Sequence, residues 1–193
     1  MPEITGLREI SSSDVLVELD GALWRKLPLL AVVRAGLSVG KRLEREDLRL
    51  LRRELRRAEA LTKATRMLAR RPLPRALLED RLQRKGVAAA ALEEAVEALE
   101  QAQYLNDHTY ALGRAQSLAE RGYGDAAVRH ILEQEGVASE LIEQAVTSLE
   151  PELERAQALL TDAGDRRRML RRLATRGFTA ETLEDVGERE GFR

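Results

Sequence analysis

The sequence predicts a mainly α-helical protein: three tandem three-helix repeats in an elongated array, preceded by a small N-terminal β-ribbon and a long basic helix. Three observations carry that prediction. The first is an internal repeat. Gly86, Gly136 and Gly177 align with their neighbours in register and without a gap. Four positions before each glycine stands Leu82, Leu132 or Leu173, and eight before stands Leu78, Val128 or Met169. One after stands Val87, Val137 or Phe178, six after stands Leu92, Ile142 or Leu183, and eighteen before stands Leu68, Leu118 or Leu159. A recurrence at this period is the signature of stacked helical units. The second is composition: 44% of residues are hydrophobic but only 3% aromatic, so cores must be built from Leu, Ala and Val, as in helix packing. The third is charge. Charged residues make up 34% of the chain, above the roughly 25% of an average soluble protein, as expected for long solvated helix faces.

Taken in order, residues 1–40 form the leader. Glu3 to Ile10 is short and mixed, and Ser11 to Asp14 is a turn cluster. Val15 to Leu19 is a β-rich run, and Asp20-Gly21 is a strong hairpin signal. Ala22 to Leu27 pairs back with Trp24 as anchor, and Pro28 closes the ribbon. Leu29 to Ala35 makes about two helical turns, ended by Gly36. The segment Gly36 to Arg42 has glycines and a lysine but lacks the spacing and the Ser or Thr of a phosphate loop, which excludes nucleotide binding there.

A helix follows from about Glu44 to Arg70, with residues 41–58 as its basic part. Leu48, Leu51, Leu55, Ala58 and Leu61 form its apolar stripe. Arg45, Arg49, Arg52, Arg53, Arg56 and Lys63 share another face, spread over about 100°. Repeat 1 spans 59–104, with its second helix from Pro74 to Lys85 and its third from Ala89 to Glu100. Repeat 2 spans 105–150, with helices over Asp107–Arg121, Asp125–Glu135 and Ser139–Leu149. Repeat 3 spans 151–193, with helices over Pro151–Thr161, Asp165–Arg176 and Thr179–Glu188. Thr179 is a sound N-cap, although Thr182 does not supply the acid of a full capping box. Helices of about ten residues are marginal alone, so stacking must supply much of the core.

The net charge of −1 hides a segregation of charge. Residues 41–85 carry sixteen Lys and Arg against seven Asp and Glu, whereas residues 86–165 carry four against sixteen. A bipolar chain of this kind can present one face to a polyanion and another to a basic protein. Chemistry is sparse. The two histidines, His108 and His130, have no partner at metal-ligand spacing, and there is no cysteine. No nucleophile elbow or paired-carboxylate loop stands out. The expectation is a non-enzyme that needs no cofactor or metal. Without cysteines, a long apolar run or a secretory pattern, the expected location is cytoplasmic.

The stretch Leu68 to Val87, LARRPLPRALLEDRLQRKGV, is followed by Tyr104-Leu105-Asn106-Asp107-His108-Thr109-Tyr110 and then by Glu120-Arg121-Gly122-Tyr123-Gly124. In this order the segments resemble the RecX family, bacterial regulators of the RecA recombinase, with Tyr104, Asp107, Tyr110, Gly122 and Gly124 as the matching motif residues. Arg75-Ala76 stands where the family has an Arg-Ser pair, and Asp125-Ala126-Ala127 stands where basic residues are usual. The resemblance implies binding along the RecA–single-stranded DNA filament and inhibition of ATP hydrolysis, strand exchange and co-protease activity. Candidate contacts to the filament and to DNA are Arg49, Arg52, Arg53 and Arg56 on the long helix. Arg66, Arg70, Arg71, Arg75, Arg81, Arg84 and Lys85 continue the basic run, and Arg121, Arg167 and Arg171 lie further on. DNA contact is expected to be weak and non-specific, with no membrane and no small-molecule substrate. Two alternatives remain from the residues alone: a non-sequence-specific DNA-binding helical module, or a protein-only helical scaffold.

Overall fold

A polar cluster at Ser11–Asp14 and an Asp-Gly pair divide the N-terminal segment into three strands. In the computed structural model, which describes residues 1–160 and 166–189, these are β1 (Ile4–Ser11), β2 (Asp14–Leu19) and β3 (Ala22–Pro28). They form an antiparallel sheet in the order β1-β2-β3, with Ile4 opposite Leu19 and Val15 opposite Leu27. Asp20 and Gly21 both have positive φ, 50° and 79°, the geometry a two-residue hairpin turn demands. The sheet therefore adds the strand β1, over the segment the sequence leaves mixed, to the Val15–Leu27 hairpin that the sequence predicts. Only Ile4 is fully buried in β1 while Arg8, Glu9 and Ile10 face solvent, so backbone pairing rather than an apolar alternation specifies it. The anchor also differs. Ile4, Val17 and Leu27 are essentially inaccessible, whereas Trp24 is half-buried at the margin of this core.

The short helix α1 (Leu29–Arg34) packs on the sheet and on the long helix α2 (Arg45–Leu68). Between them the Gly36–Arg42 segment is used structurally: Gly40 N–H donates to Ile4 O at 2.8 Å and Ile4 N–H to Lys41 O at 2.9 Å. The Lys41 ammonium bonds Gly36 O at 3.1 Å and Asp47 at 2.7 Å. Asp47 also accepts the Glu44 N–H at 2.9 Å, closing the start of α2. Leu51 and Ala60 of α2 are buried, with Leu48 and Leu55 partly so.

The helices that follow are α3 (Arg75–Arg84), α4 (Ala89–Gln101), α5 (Asp107–Glu120), α6 (Asp125–Gln134), α7 (Ser139–Thr147), α8 (Glu152–Ala158), α9 (Arg166–Thr175) and α10 (Ala180–Arg189). Their ends fall within a few residues of the sequence expectation. The expected termini at Thr161 and Asp165 lie outside the described residues. The three aligned glycines do one job. Gly86, Gly136 and Gly177 have φ of 72°, 81° and 76°, the left-handed region in which a side chain is penalised. The amide one residue later donates back to the leucine carbonyl: Val87 to Leu82 at 3.1 Å, Val137 to Leu132 at 3.1 Å and Phe178 to Leu173 at 3.2 Å. The glycine amide bonds the carbonyl three residues before it, which completes a Schellman turn. Leu82 and Leu132 are 0% exposed and Leu173 is 2% exposed, so the aligned leucines are equivalent core positions. Leu159 departs from the pattern: it is exposed, whereas Leu118 is buried.

The chain forms two compact units, one of residues 1–71 with 78–104 and the other of residues 72–77 with 105–193. In the first, α2 meets α4 through Ala60, Ala91 and Ala95, flanked by Leu61 and Val87. In the second, α5, α6 and α7 enclose Ala111, Ala115, Leu118, Val128, Leu132 and Ile142. Ala156, Leu173, Phe178 and Val186 form a smaller cluster beside them. At the head of α6 the backbone of Gly124 lies directly against that of Gly177 and Phe178. Gly124 N–H donates to Arg176 O at 2.9 Å and Ala126 N–H to Gly177 O at 3.1 Å.

A methyl group at position 124 would meet backbone that cannot turn aside. Gly124→Ala is therefore expected to destabilise the protein by about 1–3 kcal/mol. Gly113 lies inside α5 with open space where its Cβ would stand, so Gly113→Ala should stabilise by up to about 1 kcal/mol. Urea melts of the two variants check both signs; a neutral Gly124→Ala would refute the close approach.

Candidate nucleic-acid interface

Arginines at three- and four-residue steps stand on one face of a helix. Arg49, Arg52, Arg53 and Arg56 accordingly line one side of a groove of about 550 Å³, and Ala88, Ala90, Ala91 and Glu94 line the other. Arg53 is committed within it: its Nε lies 2.9 Å from the Glu94 carboxylate, and the same carboxylate stands 3.8 Å from Arg57 Nε. Arg49, Arg52 and Arg56 are exposed and have no ion pair among the described residues. Lys63, on the expected basic face, is neutralised by Glu59 at 2.7 Å.

A second cavity, of about 490 Å³, lies between the C-terminal turns of α2 and α3. It is lined by Met67, Arg70, Arg71, Arg81, Arg84 and Lys85. Arg84 pairs with Asp80 on its own helix at 2.9 Å, an exposed pair worth little. Arg66 is exposed on α2 outside both cavities. The remaining candidates belong to the other unit. Arg75 opens α3, with its N–H donating to the Asp107 carboxylate at 2.8 Å. Arg121 is exposed at the end of α5, and its carbonyl accepts from Arg176 at 2.9 Å. Arg167 and Arg171 are exposed on α9, where Arg171 Nε donates to Arg167 O at 3.3 Å.

The motif residues have structural work. Asp107 closes the head of α3. Tyr110 donates its hydroxyl to Glu135 at 2.8 Å, and Glu135 also pairs with Arg114 at 2.7 Å. The Arg114 guanidinium is held above its ordinary pKa by that bond. Gly122 has φ of 78° and ends α5 in another Schellman turn. Tyr104 is the exception, 71% exposed. It follows Gln103, which adopts φ of 57° at the end of α4 where the other turns use glycine.

The sequence reading missed a carboxylate junction in the second unit. Glu152, at the start of α8, accepts the Asp125 N–H at 2.5 Å, the Thr179 N–H at 3.1 Å and the Thr182 hydroxyl at 2.7 Å. It thereby supplies the acid that the Thr179 cap lacks in its own helix. Beside it the buried Arg155 pairs with Asp125 and donates to Tyr123 O at 3.0 Å. Burial would raise the Glu152 pKa, but the Thr179 and Thr182 bonds outweigh it and hold the carboxyl below 4.5. For Asp125 burial wins over Arg155 and pushes the carboxyl above 3.8. Asp125, which stands where basic residues are usual in the resembling family, is thus tied into the fold. Only the Thr179-x-x-Thr182 spacing signalled this junction, because its acid comes from a different helix.

Among the described residues no group of three or more His, Asp or Glu could hold a metal, and no helix is long and apolar enough to cross a membrane. The molecule is a helical-repeat protein with an N-terminal three-stranded sheet and a cationic first unit. No family model matches the chain. It is 31% identical over 143 residues to Regulatory protein RecX of Syntrophotalea carbinolica, covering 66% of this chain and 93% of that protein. It is 32% identical over 142 residues to Regulatory protein RecX of Acidithiobacillus ferrooxidans, covering 67% and 89%. A crystal structure of regulatory protein RecX superposes with a TM-score of 0.84 at 19% identity, covering 97% of this chain and all of that one. RecX from Lactobacillus salivarius gives 0.61 at 17% identity, covering 69% and 96%. The chain belongs to the RecX family of regulatory proteins.

Removing the Glu152 side chain by Glu152→Ala is expected to cost on the order of 2 kcal/mol at neutral pH, since several part-buried donors lose their acceptor. The charge has its own signature. A carboxyl whose folded pKa lies below 4.5 contributes fully above that value and loses its contribution as pH falls through the folded pKa. The stability gap between the parent and Glu152→Gln should therefore narrow below about pH 4.5. Urea melts at stepped pH test this; a gap that widens on acidification would overturn the assignment.

Proposed function

We propose that this chain regulates a RecA-type recombinase by lying on its filament with single-stranded DNA and suppressing ATP hydrolysis, strand exchange and co-protease activity. It would act in the cytoplasm, in homologous recombination and the SOS response, as a non-enzyme without a cofactor. Membership of a family of regulatory proteins supports the regulatory part. The observation that carries the nucleic-acid part is the row Arg49, Arg52 and Arg56: exposed, on one helix face and without an ion pair among the described residues. Arginine's planar fork suits phosphate oxygens. Arg53, Arg66, Arg70, Arg71, Arg81, Arg84 and Lys85 extend that basic surface, and Arg75, Arg121, Arg167 and Arg171 are the candidates in the second unit.

Sequence-specific reading is disfavoured. A recognition helix offers Asn, Gln, Ser or Arg to base edges; Gln83 is the only side-chain amide on α3, and Arg81 and Arg84, with Lys85 just beyond, suit phosphates. Tyr104, exposed and next to the start of the second unit, is available to a partner protein or to a base.

The chain should inhibit the DNA-dependent ATPase of RecA well below one copy per RecA monomer; unchanged hydrolysis at an equal amount would reject the proposal. Reversing Arg49, Arg52 and Arg56 to Glu should weaken single-strand binding. The slope of log K against log salt should flatten by about 2, at about 0.7 for each phosphate that the variant no longer neutralises. The fold should survive, since exposed substitutions cost about 0.5 kcal/mol or less each. Equal binding by variant and parent would move the functional weight onto protein contacts.

A further inference from the structure

The cavity between the C-terminal turns of α2 and α3 differs in kind from the arginine groove. Its lining is five cationic side chains and Met67, without an acid, an aromatic ring or a side-chain amide. The groove along α2 contains Glu94 and has Arg53 already neutralised by it. Two helix C-termini end at the cavity, each contributing about half a negative charge. Against five cations, one of them paired with Asp80, they leave about three positive charges around some 490 Å³, a volume typical of small-ligand sites. Among the described residues Arg70, Arg71, Arg81 and Lys85 have no ion-pair partner, and Arg84 has only the exposed Asp80. Like charges crowded in this way repel one another until an anion of matching charge density enters.

A DNA strand matches that density poorly, because it brings one charge per phosphate together with bulky sugars and bases. A terminal phosphate monoester alone carries about −1.5 to −2 at neutral pH, and a chain of linked phosphates concentrates several charges in the same space. We propose that this cavity is a binding site for a compact polyphosphate, such as the triphosphate chain of a nucleotide or inorganic polyphosphate, recognised through its phosphates alone. The arginine forks, engaged with phosphate oxygens, are left with nothing to offer a base edge, and the lining holds no ring or amide to take their place. The site is separate from the rejected Gly36–Arg42 loop, whose lysine is occupied by Gly36 O and Asp47. Its cations also extend the basic surface of the strand-binding reading, but that reading is carried by Arg49, Arg52 and Arg56 in a different groove, and this site is tested without DNA.

Inorganic tripolyphosphate is the probe, titrated calorimetrically into the full chain at about 0.1 M salt, where charges are screened beyond about 10 Å. One equivalent should bind, at least about tenfold tighter than orthophosphate. The triple variant Arg70→Gln, Arg71→Gln and Lys85→Gln changes exposed residues only, and circular dichroism checks that it folds. It should weaken tripolyphosphate by about tenfold or more, whereas neutralising Arg49, Arg52 and Arg56 should change it by less than about twofold. Adenosine and guanosine triphosphates should bind alike, and a stronger response to one of them would overturn recognition by phosphates alone. Absence of binding, or equal losses in the two triple variants, would overturn the site. Tighter binding of a short oligothymidylate than of tripolyphosphate, abolished in the Arg70 set, would overturn it in favour of a strand subsite.

Discussion

A carboxylate lent by a later helix closes the N-terminus of an earlier one, and the second unit depends on this exchange. Asp107 of α5 takes the first amide of α3, and Glu152 of α8 takes the first amide of α6. A helix start leaves four amides without intrahelical partners, and α6 begins at Gly124, which has no side chain with which to cap. The lent acid answers that need and fixes where the next helix begins. It also explains why Gly124 must be glycine: once Glu152 also holds Thr179, the α9–α10 turn is drawn onto the head of α6, and no room remains for a Cβ.

The same exchange accounts for the unequal fate of charge in the two units. Acids dominate residues 86–165, and the second unit puts many of them to structural use: Asp107 and Glu152 on helix heads, Glu135 on Tyr110 and Arg114, Asp125 on Arg155 and Glu143 on Arg129. The basic run of the first unit has few acids with which to pair. Glu94 is shared between Arg53 and Arg57, and Arg49, Arg52 and Arg56 are exposed without an ion pair among the described residues. A positive surface is what remains after the acids have been drawn into structure elsewhere.

The helical part of the fold was legible because one turn chemistry recurs. A Leu four residues before a Gly, with an apolar residue just after it, encodes both the buried C-terminal turn and its left-handed cap, and all three copies behave alike. Strand β1 was not legible, since only Ile4 among its residues is inaccessible and edge pairing leaves little trace in a side-chain pattern. Trp24 misled because size suggests an anchor, yet the sheet's inward face is made by Val15, Val17 and Leu27. At the candidate surface the spacing of Arg49, Arg52 and Arg56 was readable from helix periodicity. The capture of Arg53 by Glu94, 41 positions away, was not, nor was the lending of Glu152, since both are contacts between distant helices.

Helix α2 runs unbroken for 24 residues, a rod of about 36 Å at 1.5 Å per residue. Its first turns are gripped by the sheet core through Leu48, Leu51 and Leu55, and further along Ala60 meets Ala91 and Ala95. Alanine has no rotamers to shift, so the base on which the arginines stand has little give. Ordering on contact with a polyanion then falls on the arginine side chains themselves, at about 0.5–1.5 kcal/mol each. That opposes much of what each contact gains, and leaves attachment fast and individually short-lived. Under the proposed reading, such a face would sample a long charged lattice by many brief touches, with a residence set by how many of those touches coincide.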